Sequence, residues 1–210
     1  MQLPPDISYR IVSLGELPRS GWEMLLSEEE LERLAHFGSM QRKRQFLAGR
    51  IAARTLLAGR LAVPPAEVPL TVATDGAVDV DGTPFHVSIS HAGEYAVAAI
   101  ALRPVGVDIE RVVPRHPDLH RRFLNDAERT HLDELNLDRD HAYILSWAIK
   151  EAVLKGRRTG FRCSPKRLNL TICPAEQSAM VRVEGEKPWS TSFEWIDGYC
   201  LAIAFQQAWL

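Results

Sequence analysis

The sequence predicts a mixed α/β (α+β) chain built from two similar halves. Helix-period and strand-period patterns alternate along it, and two long helical stretches, 41–57 and 141–155, each lead into a proline and then a strand. The segments that follow these helices also resemble each other. Pro65-Ala66-Glu67-Val68-Pro69-Leu70-Thr71-Val72 is answered by Pro165-Lys166-Arg167-Leu168-Asn169-Leu170-Thr171-Ile172, and Tyr95-Ala96-Val97-Ala98 by Tyr199-Cys200-Leu201-Ala202. Ala48 and Ala152 fall in the preceding helices. The pattern predicts duplicated halves, 1–102 and 103–210, related by a pseudo-two-fold, with a ligand in the cleft between them. Coincidence among common apolar residues is the competing explanation.

Each element has its own local reason. Ile7, Tyr9, Ile11, Val12 and Leu14 alternate as a strand. Ser27 and Glu30 are spaced as a capping box, and Leu31 and Leu34 continue that helix as its apolar stripe. Phe46, Leu47, Ile51, Leu57 and several alanines give 41–57 a buried face, and Pro64-Pro65 ends the region. Strands are expected at 68–73, 77–80, 85–90 and 95–102, with turns at Asp75-Gly76 and Asp81-Gly82. Residues 111–125, with Pro114 and Pro117, read as irregular, and Asn125-Asp126-Ala127-Glu128 opens a helix. Residues 133–140 read as a polar, mobile stretch. Ile144, Leu145, Ala148, Ala152, Val153 and Leu154 line the helix 141–155, which Gly156 can stop. Strands follow at 168–173, 180–183, 193–196 and 199–205, the last two joined by Asp197-Gly198.

The composition narrows the function classes. At 210 residues, 46% hydrophobic and 25% charged, the chain is long enough for a large core and ordinary for a soluble protein. A net charge of -2 argues against general nucleic-acid binding, though it permits a local basic patch. Cys163, Cys173 and Cys200 are odd in number and lack a CxxC spacing, which argues against a zinc cluster or disulfide framework and fits a cytoplasmic setting. The first residues lack a basic segment followed by a long apolar core, so no signal peptide is expected. No apolar run approaches the roughly 20 residues that span a bilayer.

Three stretches carry chemistry. Val105-Gly106-Val107-Asp108-Ile109-Glu110 is a short apolar run with two acids at i and i+2, which share one face of a strand. Val107 and Ile109 are expected in the core, with Asp108 and Glu110 projecting the other way. Side-by-side carboxylates repel, so they either face solvent on an edge strand or share a hard cation such as Mg²⁺. The second stretch, 41–57, carries Arg42, Arg50 and Arg54. A basic helix face is commonly just solvated, but arginine forks also match phosphate oxygens. The third is Trp147-Ala148-Ile149-Lys150-Glu151-Ala152-Val153-Leu154-Lys155. Glu151 and Lys155, at i and i+4, make an ordinary helix pair, or Glu151 is a third carboxylate on the same metal, with Lys150 and Lys155 facing phosphates.

Together these residues resemble the 4′-phosphopantetheinyl transferases of the larger, surfactin-synthetase-activating or enterobactin type. The Gly106-Val107-Asp108-Ile109-Glu110 strand and the Trp147 to Lys155 helix match that family's signature. So do Ser90-His91 upstream and the basic helix ending Leu47-Ala48-Gly49-Arg50-Ile51-Ala52-Ala53, in one order across 27–205. The resemblance implies a pseudo-dimeric α/β fold and the Mg²⁺-dependent transfer of phosphopantetheine from coenzyme A to a serine of an apo acyl or peptidyl carrier protein. Adenosine 3′,5′-bisphosphate is released. It implies Asp108, Glu110 and Glu151 as ligands of Mg²⁺, or of Mn²⁺ in its place. Arg42, Arg50, Ser90, His91, Asp108, Lys150 and Lys155 would bind coenzyme A. Glu151 would act as base, directly or through a water, and Lys150 would stabilise the transferring phosphate. A monomer is expected, with no nucleic-acid or membrane partner. Carrier docking is expected near 111–145, where Arg115, Arg121, Arg122 and Arg129 offer positive charge to an acidic carrier.

The chain departs from the pattern at Asp75-Gly76-Ala77-Val78, where some relatives have a Gly-Lys-Pro turn, and at Ala148. The competing functional readings are a non-catalytic coenzyme A or nucleotide-binding module of the same fold, and an RNA-binding protein using residues 42–54.

Overall fold

The computed structural model describes residues 1–18, 20–73, 76–116 and 118–206. The expected turn at Asp75 and the proline at 117 lie outside the described residues. The chain groups into two compact units, Pro5–Leu102 and Arg103–Leu210, the second joined by Met1–Pro4.

The Pro5–Leu102 unit contains β1 (Ser8–Ser13), α1 (Glu28–Ala35), α2 (Met40–Leu61), β2 (Leu70–Val72), β3 (Val78–Val80), β4 (His86–Ala92) and β5 (Tyr95–Ala101). The expected capping box opens α1: Ser27 accepts from Glu30 N, and the Glu30 carboxylate accepts from Ser27 N. Ser39 caps α2, which ends where Ala62 turns left-handed (φ 56°) ahead of Pro64. β1, β5 and β4 form an antiparallel sheet with β5 in the middle, and β2 and β3 pair only with each other. Ala48, Ala52, Ala53 and Leu57 of α2 pack in one core with Ala96, Ala98 and Ile100 of β5. Small side chains on both layers let the helix lie close to the sheet.

The second unit contains β6 (Val105–Arg111), α3 (Asp126–Glu134), α4 (Arg139–Gly156), β7 (Leu168–Cys173), β8 (Ser178–Val183), β9 (Trp189–Ile196) and β10 (Tyr199–Gln206). The strands pair antiparallel in the order β6-β10-β9-β8-β7. Asn125 and Glu128 form a second capping box at α3. Asp197 (φ 46°) and Gly198 (φ 79°) make the tight β9–β10 turn, the left-handed pair that matches strand twist. Leu168, Leu170 and Ile172 face the core while Asn169, Thr171 and Cys173 face out, the period-two pattern of a strand with one wet side.

The element order therefore occurs twice: a strand, a long helix, a proline-led 3-10 turn (Pro65–Glu67, Pro165–Arg167) and two hairpins, whose last strand pairs with the first. The units differ in that the β7–β8 hairpin extends the main sheet, whereas β2–β3 stands apart.

Two expectations change. Within 133–140 only residues 135–138 are irregular, because α3 reaches Glu134 and α4 begins at Arg139. Gly156 is the last residue of α4, as expected, and a Cβ there would come 2.6 Å from the Trp189 ring. The β6 acids alternate with Val107 and Ile109 as expected, but their face is roofed by α4 rather than turned to water. No helix among the described residues is long and apolar enough to cross a membrane.

Candidate active site beneath helix α4

Gly106 sets the geometry of the site. A Cβ on it would fall 1.8 Å from Ala152 O and 2.5 Å from Gly156 N, so only glycine lets α4 rest on β6 at this distance. Cys200, Ala202 and Ala204 of β10 lie beside Glu110, Asp108 and Gly106 in register and keep the same face shallow. The helix runs antiparallel to the strand. At one end the Trp147 indole N–H donates to Glu110 Oε1 at 3.0 Å, and at the other Lys155 Nζ meets Asp108 Oδ1 at 2.6 Å. Glu151 sits one turn from each, on the same helix face. Residues four apart on a helix thus meet residues two apart on a strand, and Asp108, Glu110, Glu151 and Lys155 come together.

Charge and burial oppose each other here. Asp108 is 3% exposed, a burial that Lys155 compensates. Burial first, and then the Asp108 charge, push the Glu110 carboxyl above its ordinary range, against the indole hydrogen bond and the guanidinium of Arg115 at 3.7 Å. Burial, with Asp108 next and Glu110 last, raises Glu151 to about 7, while Lys155 opposes the rise. Glu151 Oε1 is buried and accepts no hydrogen bond. The Cys200 thiol, beside Glu110 in register, is pushed well up, first by burial and then by the two acids.

The donor set suits a hard divalent cation: three carboxylates, among them the Glu151 Oε1 that lacks a donor, and mutual repulsion that a cation would relieve. As the side chains stand, no group of three or more His, Cys, Asp or Glu among the described residues is placed to hold a metal ion. Asp108 is engaged by Lys155, and Glu110 by Trp147 and Arg115.

Two residues expected at phosphates are engaged inside the protein. Lys150 is fully buried, and its Nζ donates to Phe123 O at 2.8 Å, Glu128 Oε2 at 2.7 Å and Pro165 O at 2.9 Å. All three of its protons are used, so it presents none to a substrate phosphate. Arg50 is 5% exposed, with Nε 2.9 Å from Glu30 Oε1 and its guanidinium over the Phe46 ring at 4.7 Å, so it is held inside the protein and shares Glu30 with Arg54. Arg54 is likewise committed, to Glu30 and to the carbonyls of Pro65, Ala66 and Val68. In the same unit, Arg42 is exposed in the first turn of α2, His91 is exposed on β4, and Ser90 is buried on the opposite face of that strand.

Sequence reasoning missed Glu128 and Glu30, the buried partners of Lys150 and of both arginines. The capping-box spacings marked both as helix starts but gave no sign of their second role. Arg115, expected at a carrier surface, is exposed and also lies 3.7 Å from Glu110.

Comparison with known proteins places these features. The model of the 4′-phosphopantetheinyl transferase superfamily matches residues 104–204, and that of the 4′-phosphopantetheinyl transferase N-terminal domain matches residues 30–101. A 4′-phosphopantetheinyl transferase of Bacillus subtilis is 30% identical over 70% of this chain and 65% of its own length. The 4′-phosphopantetheinyl transferase Sfp of Bacillus subtilis (strain 168) is 24% identical over 85% of this chain and 86% of its own. Among solved structures, Helicobacter pylori holo-acyl-carrier-protein synthase in complex with coenzyme A aligns with a TM-score of 0.42 at 19% identity, over 49% of this chain and 99% of that one. The chain spans less than two thirds of the length of the first curated relatives it matches (65%, 60% and 61%). With its two halves matched in order by the family's two models, the chain belongs to the 4′-phosphopantetheinyl transferase superfamily.

Proposed function

We propose that this protein transfers the 4′-phosphopantetheine group of coenzyme A to a serine of an apo acyl or peptidyl carrier protein, with release of adenosine 3′,5′-bisphosphate. The observation that carries this reading is the gathering of Asp108, Glu110 and Glu151 under α4, with Lys155 between the acids and solvent. Phosphoryl transfer asks mainly for positioning and charge stabilisation, and the site supplies both.

Asp108, Glu110 and Glu151 would hold Mg²⁺, or Mn²⁺ in its place, which would neutralise negative charge on the pyrophosphate of coenzyme A. Glu151, raised to about 7 by burial and the neighbouring acids when no metal is bound, would act as base for the carrier serine, directly or through a water. Its Oε1, which accepts no hydrogen bond, is the atom assigned to that proton. Lys155 has a side chain 30% exposed, so its ammonium can reach a phosphate while remaining beside Asp108. Arg42 and His91, exposed in the Pro5–Leu102 unit, are the remaining candidates for coenzyme A phosphates, with Ser90 beside His91. The protein is read as a cytoplasmic monomer acting on a carrier of fatty-acid, polyketide or non-ribosomal peptide synthesis.

The test is intact-mass spectrometry of several apo carrier proteins incubated with coenzyme A, Mg²⁺ and this protein. A phosphopantetheine mass gain is expected, absent with Asp108→Ala. No gain on any carrier would refute the reading.

A further inference from the structure

Lys150 adjoins Glu151 in sequence yet points away from the acids, into a buried hub. Its ammonium binds three separate segments: Glu128 of α3, the carbonyl of Phe123 just before α3, and the carbonyl of Pro165 in the turn before β7. Glu128 is equally occupied. Its Oε2 also accepts from Asn125 N at 2.9 Å, and its Oε1 accepts from Leu170 N at 2.9 Å. A buried ion pair is a weak source of net stability compared with apolar packing, and its best-attested use is to fix one arrangement over others.

What this pair fixes leads back to the acids. With its carbonyl held by Lys150, Phe123 sets its ring edge-on to Trp147, with centroids 5.1 Å apart and planes at 69°. Trp147 spends its indole N–H on Glu110 Oε1 at 3.0 Å. Glu110 is the more accessible acid of β6, and its other oxygen lies 3.7 Å from Arg115, whose side chain is 44% exposed. The indole donor opposes the pull of that arginine and keeps the carboxylate on the α4 side.

We propose that Trp147, clamped by Phe123 and through it by the buried Lys150–Glu128 pair, is the positioning residue that holds Glu110 beside Asp108 and Glu151. The Trp147 indole N–H and the Lys150 ammonium are both spent on protein oxygens. The proposal rests on the transferase reading, in which Glu110 helps to hold the divalent ion. A hydrogen-bond partner of a metal-ligating side chain is commonly worth about 10–100-fold in metal affinity.

The experiment measures Mn²⁺ binding to the full chain, without coenzyme A, by the electron paramagnetic resonance of free Mn²⁺. Trp147→Phe keeps an aromatic ring against Phe123 and removes the N–H donor together with part of the indole. It is expected to weaken Mn²⁺ binding by about 10–100-fold and to raise the Mg²⁺ requirement of transfer in parallel. At saturating Mg²⁺ the KM for coenzyme A should be unchanged, a split that loosened packing would not produce. A double variant, Lys150→Met with Glu128→Met, removes both buried charges at once and is expected to weaken Mn²⁺ binding in the same direction. If the double variant does not fold, Trp147→Phe decides alone. Mn²⁺ binding as tight in Trp147→Phe as in wild type overturns the positioning role and leaves the transferase reading intact. No Mn²⁺ binding by the wild-type chain overturns the metal assignment and this proposal with it.

Discussion

Replacing Glu151 by glutamine should stabilise the metal-free protein at pH 8 while abolishing transfer. Burial, Asp108 and Glu110 raise the carboxyl from 4.5 to about 7, so the folded state holds this proton more tightly than the unfolded chain does. The sign follows by linkage. The stability associated with the proton is fully present below about pH 4.5, falls as pH rises through about 7, and is gone above it. At about 1.4 kcal/mol per pKa unit, the full shift would correspond to about 3 kcal/mol. The group is only partly buried, and solvent screening brings the figure to about 1–2 kcal/mol. For a chain of this size that is about 2–8 °C in unfolding midpoint. Scanning calorimetry without divalent ions should therefore show Glu151→Gln matching wild type at pH 4.5 and melting higher at pH 8. Added Mg²⁺ should narrow the gap by stabilising wild type alone. A variant that melts lower than wild type at pH 8, or by the same margin at every pH, would refute the electrostatic account of this residue.

Gly106→Ala should cost at least about 3 kcal/mol, beyond ordinary overpacking, because its Cβ would meet backbone atoms of α4 that cannot move independently; chemical denaturation checks this. Gly59→Ala in α2, with nothing within 4 Å of its Cβ, serves as control and should be stabilising by about 0.5–1 kcal/mol. Arg42→Ala should leave stability within about 0.5 kcal/mol and raise the KM for coenzyme A. Arg50→Ala, which removes the buried guanidinium packed between Glu30 and the Phe46 ring, should lower the unfolding midpoint, read by the same melts, before any effect on coenzyme A is seen.

Much of this fold is written in local signals. Both long helices follow from apolar residues spaced around one face, and both capping boxes follow from a polar residue and a glutamate three positions on. The doubled Pro-led segment anticipated the repeated element order. The orientation of buried charge was not legible. A lysine or arginine on a helix reads as surface unless its partner is known, and the partners here lie 22 residues away for Lys150 and 24 for Arg54. Alternation along β6 assigned Asp108 and Glu110 to one face correctly but could not say what covers it. The available sign was Gly106, since glycine inside a strand marks a place where another backbone comes close.

The same helix-on-sheet frame appears in both units, yet only one carries the acids, and charge compensation explains why that cluster can persist. β1 reads Ser-Tyr-Arg-Ile-Val-Ser, with no carboxylate to bury. In β6, Asp108 sits almost wholly out of water only because Lys155 is 2.6 Å away, and Lys155 is placed by the same α4 that brings in Glu151. Lys155 and the exposed Arg115 are the cations acting on three carboxylates, which leaves one negative charge in excess when all are ionised. Without a metal, burial first and then that excess of negative charge hold a proton on Glu151 and raise its pKa. A divalent cation would compete for the same charge, so on this reading the proton-holding strength of Glu151 and the metal affinity of the site have one electrostatic origin. Gly106 brings both about, because it sets how closely Glu151 approaches the strand.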